Sequence, residues 1–104
     1  MHKIVSFMNE ICARPGTHLA STDVRLLQAY IQGYLIGLAE NGSIERELEV
    51  LEQFERFVHS EYKTTDVADG KSWSSLVRER TESDSAAFVE FRSLWNKFLQ
   101  SHLS

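Results

Sequence analysis

Val24-Arg25-Leu26-Leu27-Gln28-Ala29-Tyr30-Ile31-Gln32-Gly33-Tyr34-Leu35-Ile36-Gly37-Leu38-Ala39 is the stretch that decides the fold. It has no alternation at period two, and Arg25 is its one residue charged at neutral pH. Placed on a helix, its apolar side chains and glycines between Val24 and Leu38 cover about 260° of the circumference. Arg25, Gln28, Gln32 and Ala39 alone mark a seam to water. Such a helix is expected at the centre of a bundle, with neighbours on most sides. Its ends are signalled too. Ser21, Thr22 or Asp23 can accept hydrogen bonds from the first-turn amides, and Asn41-Gly42 is a C-terminal stop.

The segments on either side have the same period. Ile4, Phe7, Met8, Ile11 and Cys12 recur at i, i+3, i+4, i+7 and i+8, giving a first amphipathic helix that Arg14-Pro15-Gly16 ends. Residues 17–22 then read as a loop. A third helix runs from about Ile44 to Tyr62. Ile44, Leu48, Leu51, Phe54, Val58 and Tyr62 face one way, flanked by Val50 and Phe57, and Glu45, Glu49, Glu52, Gln53 and Arg56 face the other. Lys63 to Gly70 reads as a second loop. A short fourth helix carries Trp73, Leu76 and Val77. Ser83 or Asp84 caps a fifth, whose inward stripe is Phe88, Phe91, Leu94, Trp95, Phe98 and Leu99. The expected fold is all-α: one helical bundle over residues 1–104, with four long helices and one short.

A chain of 104 residues suffices for one core and is too short for two. Its single cysteine, Cys12, excludes an intramolecular disulfide framework and fits a reducing compartment. Asn9 and Glu10 interrupt the first apolar run too early for a signal peptide. The apolar run from Val24 to Ala39 is shorter than the roughly 20 residues a bilayer span requires. A soluble cytoplasmic protein is therefore expected, with no membrane partner. Net charge −4 argues against nucleic acid as the main ligand, because phosphate contacts need a basic face.

Signs of catalysis are few. His2, His18, His59 and His102 are scattered, and no two lie three or four residues apart. Glu55 and His59 form the one local pair with helical metal-ligand spacing, but zinc needs at least three protein ligands. Cys12 falls on the apolar stripe of the first helix, where a thiol behaves as a small inert hydrophobe. The chain has no Gly-x-Ser-x-Gly elbow, and Gly33-x-x-x-Gly37 lacks the Lys-Ser/Thr of a phosphate loop. Each mid-helix glycine costs about 1 kcal/mol relative to alanine. Together with Ala29, the pair is expected to admit another helix of the same chain at close range, a dimer seam being the alternative. No catalytic residue, cofactor or metal site is assigned.

Charge is the stronger signal. Residues 40–69 hold nine of the fifteen carboxylates against three basic residues, Arg46, Arg56 and Lys63. Glu45, Glu49 and Glu52 lie within about 60° of one another on the third helix, so like charges crowd one strip. Asp66 and Asp69 extend it into the following loop, and Tyr62 at the junction is an aromatic anchor candidate, with core packing as its other role. Glu55 falls inside the apolar arc and must lie at the core edge, be paired, or face a partner. The expected binding surface is thus Glu45, Glu49, Glu52, Tyr62, Asp66 and Asp69, directed at a basic protein.

Three strings carry a resemblance: Ala13-Arg14-Pro15-Gly16-Thr17-His18-Leu19-Ala20-Ser21, Leu27-Gln28-Ala29-Tyr30-Ile31-Gln32-Gly33-Tyr34, and Ser72-Trp73-Ser74-Ser75-Leu76 before a Phe-rich last helix. They resemble a family of small helical bacterial proteins with an Arg-Pro-Gly-Met-Tyr-Leu-Gly-Ser-like opening and a Phe-x-x-Gly-Tyr helix. Thr17, His18 and Ala20 stand where that opening has Met, Tyr and Gly. The resemblance implies an immunity or accessory protein encoded beside a polymorphic toxin, and no catalytic residues. The expected function is a non-catalytic immunity protein that neutralises a toxin domain, such as a nuclease, by stoichiometric occlusion. A homodimeric structural or regulatory subunit is the alternative. A small ligand- or metal-binding bundle around Glu55 and His59 is the third reading.

Overall fold

The structure, a computed structural model, describes residues 3–15, 23–63 and 72–103. Among the described residues five α-helices follow one another: α1 (Lys3–Ala13), α2 (Val24–Ala39), α3 (Glu45–Glu61), α4 (Trp73–Glu79) and α5 (Asp84–Phe98). A π-helical turn, Leu99–Leu103, continues α5. No strand occurs among the described residues, and the all-α bundle of four long helices and one short is the observed architecture.

The caps are local chemistry. Asp23 accepts the Arg25 amide at 2.9 Å and starts α2. Ser72 does the same for α4 through the Ser75 amide, and Ser83 for α5 through the Ala86 amide. Each such cap contributes on the order of 1 kcal/mol. The Arg25 guanidinium also bonds Asp23 and holds its carboxyl below the ordinary value. Gly42, at φ +152°, closes the turn between α2 and α3 in a conformation that side chains rarely adopt. Ile44 precedes α3 without a side-chain cap, the Glu45 amide donates to Ser43 Oγ at 3.4 Å instead, and Glu45 and Glu47 in the first turn add negative charge at the amide end.

One hydrophobic cluster joins buried side chains of all five helices. Its hub is Phe54 on α3, whose ring meets Trp73, Phe91, Trp95 and Phe98 edge-on at centroid distances of 5.2 to 6.1 Å. Edge-to-face pairs of this kind add about 0.5–1.5 kcal/mol each beyond burial. Trp95 is fully buried and satisfies its one polar atom by donating Nε1–H to Asn9 Oδ1 of α1 at 2.9 Å. The inward stripe expected of α5 is observed, with Phe88, Phe91, Leu94, Trp95 and Phe98 buried and Leu99 half-buried. Trp73, Leu76 and Val77 of α4 are buried as expected.

Two expectations fail. The helix surrounded on most sides is not α2. It buries Val24, Leu27, Ile31 and Leu35, while Leu26, Tyr30 and Ile36 remain 55%, 39% and 65% exposed. A Cβ at Gly33 or Gly37 would meet nothing within 4 Å, so no helix of this chain approaches the Ala29-Gly33-Gly37 face among the described residues. The aromatic residues of α5 fill the core instead, and α2 lies against it by one face. On α3 the buried arc is centred on Val50, Phe54 and Val58 rather than Leu48 and Leu51. Leu48 is 41% exposed and Leu51 half-buried. The helix is rotated so that Val50 turns inward, and Leu48 is left at a groove.

Candidate functional site: an acidic strip beside an apolar groove

The carboxylates of α3 fall into two sets. Glu47 accepts the backbone N–H of Lys3 at 3.1 Å, capping the start of α1. Glu55 accepts the backbone N–H of Trp73 at 3.0 Å, in the first turn of α4. Glu61 pairs with Lys97 of α5 at 3.3 Å. These three carboxylates hold α3 to its neighbours. The place of Glu55 inside the apolar arc is thereby explained: its carboxylate satisfies an amide that a helix start leaves without a partner.

Glu45, Glu49 and Glu52 form the other set. All three are exposed, and none makes an ion pair with a described residue. Glu52 and Arg56, four residues apart, do not pair either. The strip thus carries three carboxylates and, one turn beyond Glu52, the exposed Arg56, with no ion pair formed among them, so like charges outnumber opposite ones on it.

Beside the strip lies an open groove of about 200 Å³. Ile31 and Leu35 of α2, Leu48 and Leu51 of α3 and Trp73 of α4 give it apolar walls. Gln28, Gln32, Glu52 and Glu55 supply its polar atoms. Gln28 is fixed by the hydroxyl of Ser74, which hydrogen-bonds to its Oε1. No basic residue lines the groove, and Glu52 belongs to both groove and strip. The arrangement suits a partner segment that offers an apolar side chain next to a lysine or arginine. Sequence reading missed the groove because its walls come from three helices. The exposed Leu48 was the local trace of it, hidden by the assumption that every apolar residue of that stripe turns inward.

The other expected site residues fare differently. Tyr62 is half-buried and packs against the core, with the Arg80 guanidinium 4.5 Å above its ring. Its hydroxyl lies in the interior, and burial, aided by the nearby charge of Glu90, pushes its pKa up to about 12. The packing role is the one this position fills. Asp66 and Asp69 lie outside the described residues, as do His18 and the Gly16 to Ala20 part of the Arg-Pro-Gly opening. His59 is buried beside Glu55 on α3. Among the described residues no group of three or more His, Cys, Asp or Glu side chains comes together. Cys12 is half-buried, and desolvation pushes its thiol up to about 11 against a smaller opposing effect of Arg92. No helix of the described residues is long and apolar enough to cross a membrane.

No family model, curated protein or solved structure matches this chain.

Proposed function

We infer that this protein is a binding module that takes a basic protein partner on the α3 strip and the adjoining groove. The observation that carries the reading is the separation of the carboxylates: Glu47, Glu55 and Glu61 are engaged within the fold, whereas Glu45, Glu49 and Glu52 are exposed without ion-pair partners. Like charges left crowded beside an apolar slot raise the association rate with a cationic surface and discriminate among partners. The slot supplies the desolvated contact that a charged strip alone lacks.

The partner class most consistent with this chemistry is a toxin domain with a basic substrate cleft, such as a nuclease, neutralised one-to-one by occlusion in the cytoplasm. Support comes from the acidic strip and from the resemblance of the Arg14-Pro15-Gly16 and Gly33-Tyr34 strings to immunity proteins.

The test is affinity capture from the protein's own cells, eluted with rising salt. It is run in parallel with the wild type and with Glu45→Lys, Glu49→Lys and Glu52→Lys combined. A stoichiometric basic protein retained by the wild type, released by salt and lost from the triple variant is the expected result. Co-expression should then relieve any toxicity of the captured protein. Equal capture by a folded triple variant would sink the assignment.

A further inference from the structure

The outer face of α2 is a second surface, formed by none of the strip residues. Leu26, Ala29, Tyr30, Gly33, Ile36 and Gly37 occupy a contiguous arc of about 120°. All six are exposed and none is charged. Beside them Phe7 of α1 stacks on Tyr34, with centroids 3.8 Å apart and planes 2° from parallel, and also touches Tyr30. These aromatic rings, with Ala29 and Gly33, bound a shallow depression of about 360 Å³. Apolar patches of this kind mark interaction sites.

We propose that this face binds a second copy of the chain, forming a two-fold symmetric dimer through α2. The first reason is charge. The six residues carry no charge and only Glu40, the exposed C-cap of α2, shares their arc among the described residues, so a basic partner finds little counter-charge within the face, whereas a second copy sets one uncharged face on another. The second is shape. Gly33 lies at the centre of the arc, with Ile36 about 60° to one side and Tyr30 about 60° to the other. Ala29 and Gly37 stand one turn below and above it. A two-fold axis through Gly33 therefore brings Gly33 against Gly33. It sets the large Ile36 and Tyr30 over the small Ala29 and Gly37, whether the helices run parallel or antiparallel. Such large-on-small matching is what an isologous interface requires. The third is area. A helix of this length offers a strip about 24 Å long and about 10 Å wide, well below the ~800 Å² per partner of a standard interface. A reversible, concentration-dependent dimer is the form that fits.

Sedimentation velocity of the full chain from about 1 µM to about 1 mM provides the test, read against an interface whose affinity sets the exchange. The mass should rise from 12.0 kDa towards twice that value. Ile36→Asp should weaken association by about tenfold or more, because an exposed isoleucine becomes a buried charge. It should leave thermal stability unchanged, since the wild-type side chain is 65% exposed. Gly33→Cys in a Cys12→Ala background should oxidise to a covalent dimer, while Glu49→Cys in the same background should not. Salt separates this contact from the acidic strip: it should preserve or strengthen the α2 dimer by screening two chains of net charge −4, and should release a basic partner. A mass fixed at 12.0 kDa throughout the range, dimerisation of Ile36→Asp equal to the wild type, or equal cross-linking at both cysteine positions would each overturn the proposal.

Discussion

Replacing Glu55 with alanine separates the carboxylates that build this protein from those that decorate it. Glu55 Oε1 accepts the Trp73 amide hydrogen at 3.0 Å in a part-buried setting at the start of α4. Alanine leaves that amide without its acceptor. An unsatisfied part-buried donor costs about 1–3 kcal/mol, and loss of a helix cap about 0.5–2 kcal/mol. Ser72 still caps the same helix through the Ser75 amide, so the low-to-middle part of the range, about 1.5–2 kcal/mol, is the expected loss. At an unfolding entropy of about 2.1 cal/mol/K per residue, that lowers Tm by roughly 7–9 °C. Circular dichroism melts, with urea titrations to confirm that the m-value is unchanged, measure it directly. Glu55→Gln keeps a carbonyl acceptor in the same place and should lose less than half as much. Glu49→Gln, on the exposed strip, should stay within about 0.5 kcal/mol of the wild type. A Tm for Glu55→Ala within 2 °C of wild type, roughly the error of such a comparison, would refute the capping role. Glutamine as damaging as alanine would show that charge, not the acceptor, is what matters.

Two further expectations follow from buried titrating groups. Burial holds the Cys12 thiol at about 11, so a thiolate-directed reagent at pH 8 should modify the folded protein at least tenfold more slowly than the urea-unfolded chain; equal rates would contradict the packing of α1. The Tyr62 phenol is raised to about 12 from an ordinary 10.0, which favours the folded state while the group is neutral. That stabilisation is fully present below pH 10.0 and is lost as pH rises towards 12. Across this window the urea midpoint of the wild type should therefore fall relative to that of Tyr62→Phe, which has no phenol to ionise, and a constant difference between them would refute the assignment.

The helix count among the described residues, the short fourth helix and the aromatic stripe of α5 were legible in the sequence, and the starts of α2 and α5 were legible to within a choice of neighbouring caps, Asp23 among Ser21, Thr22 and Asp23, and Ser83 rather than Asp84. Each is written in local chemistry: an apolar period of 3.6, a hydroxyl or carboxylate before a run, a Pro-Gly or Asn-Gly break. The exposed acidic strip was equally legible, because the spacing of Glu45, Glu49 and Glu52 fixes their shared direction once α3 is a helix. The sequence could not assign neighbours. Apolar residues most of the way round α2 were compatible with complete enclosure or with one face in the core and another open to water. Only the packed helices decide that Leu26, Tyr30 and Ile36 are outside. Nor could spacing show that Glu47, Glu55 and Glu61 serve Lys3, Trp73 and Lys97, residues 44, 18 and 36 positions away. Periodicity records which residues share a face. Which face finds a partner depends on contacts between segments distant in the chain, and these exist only once the helices have packed.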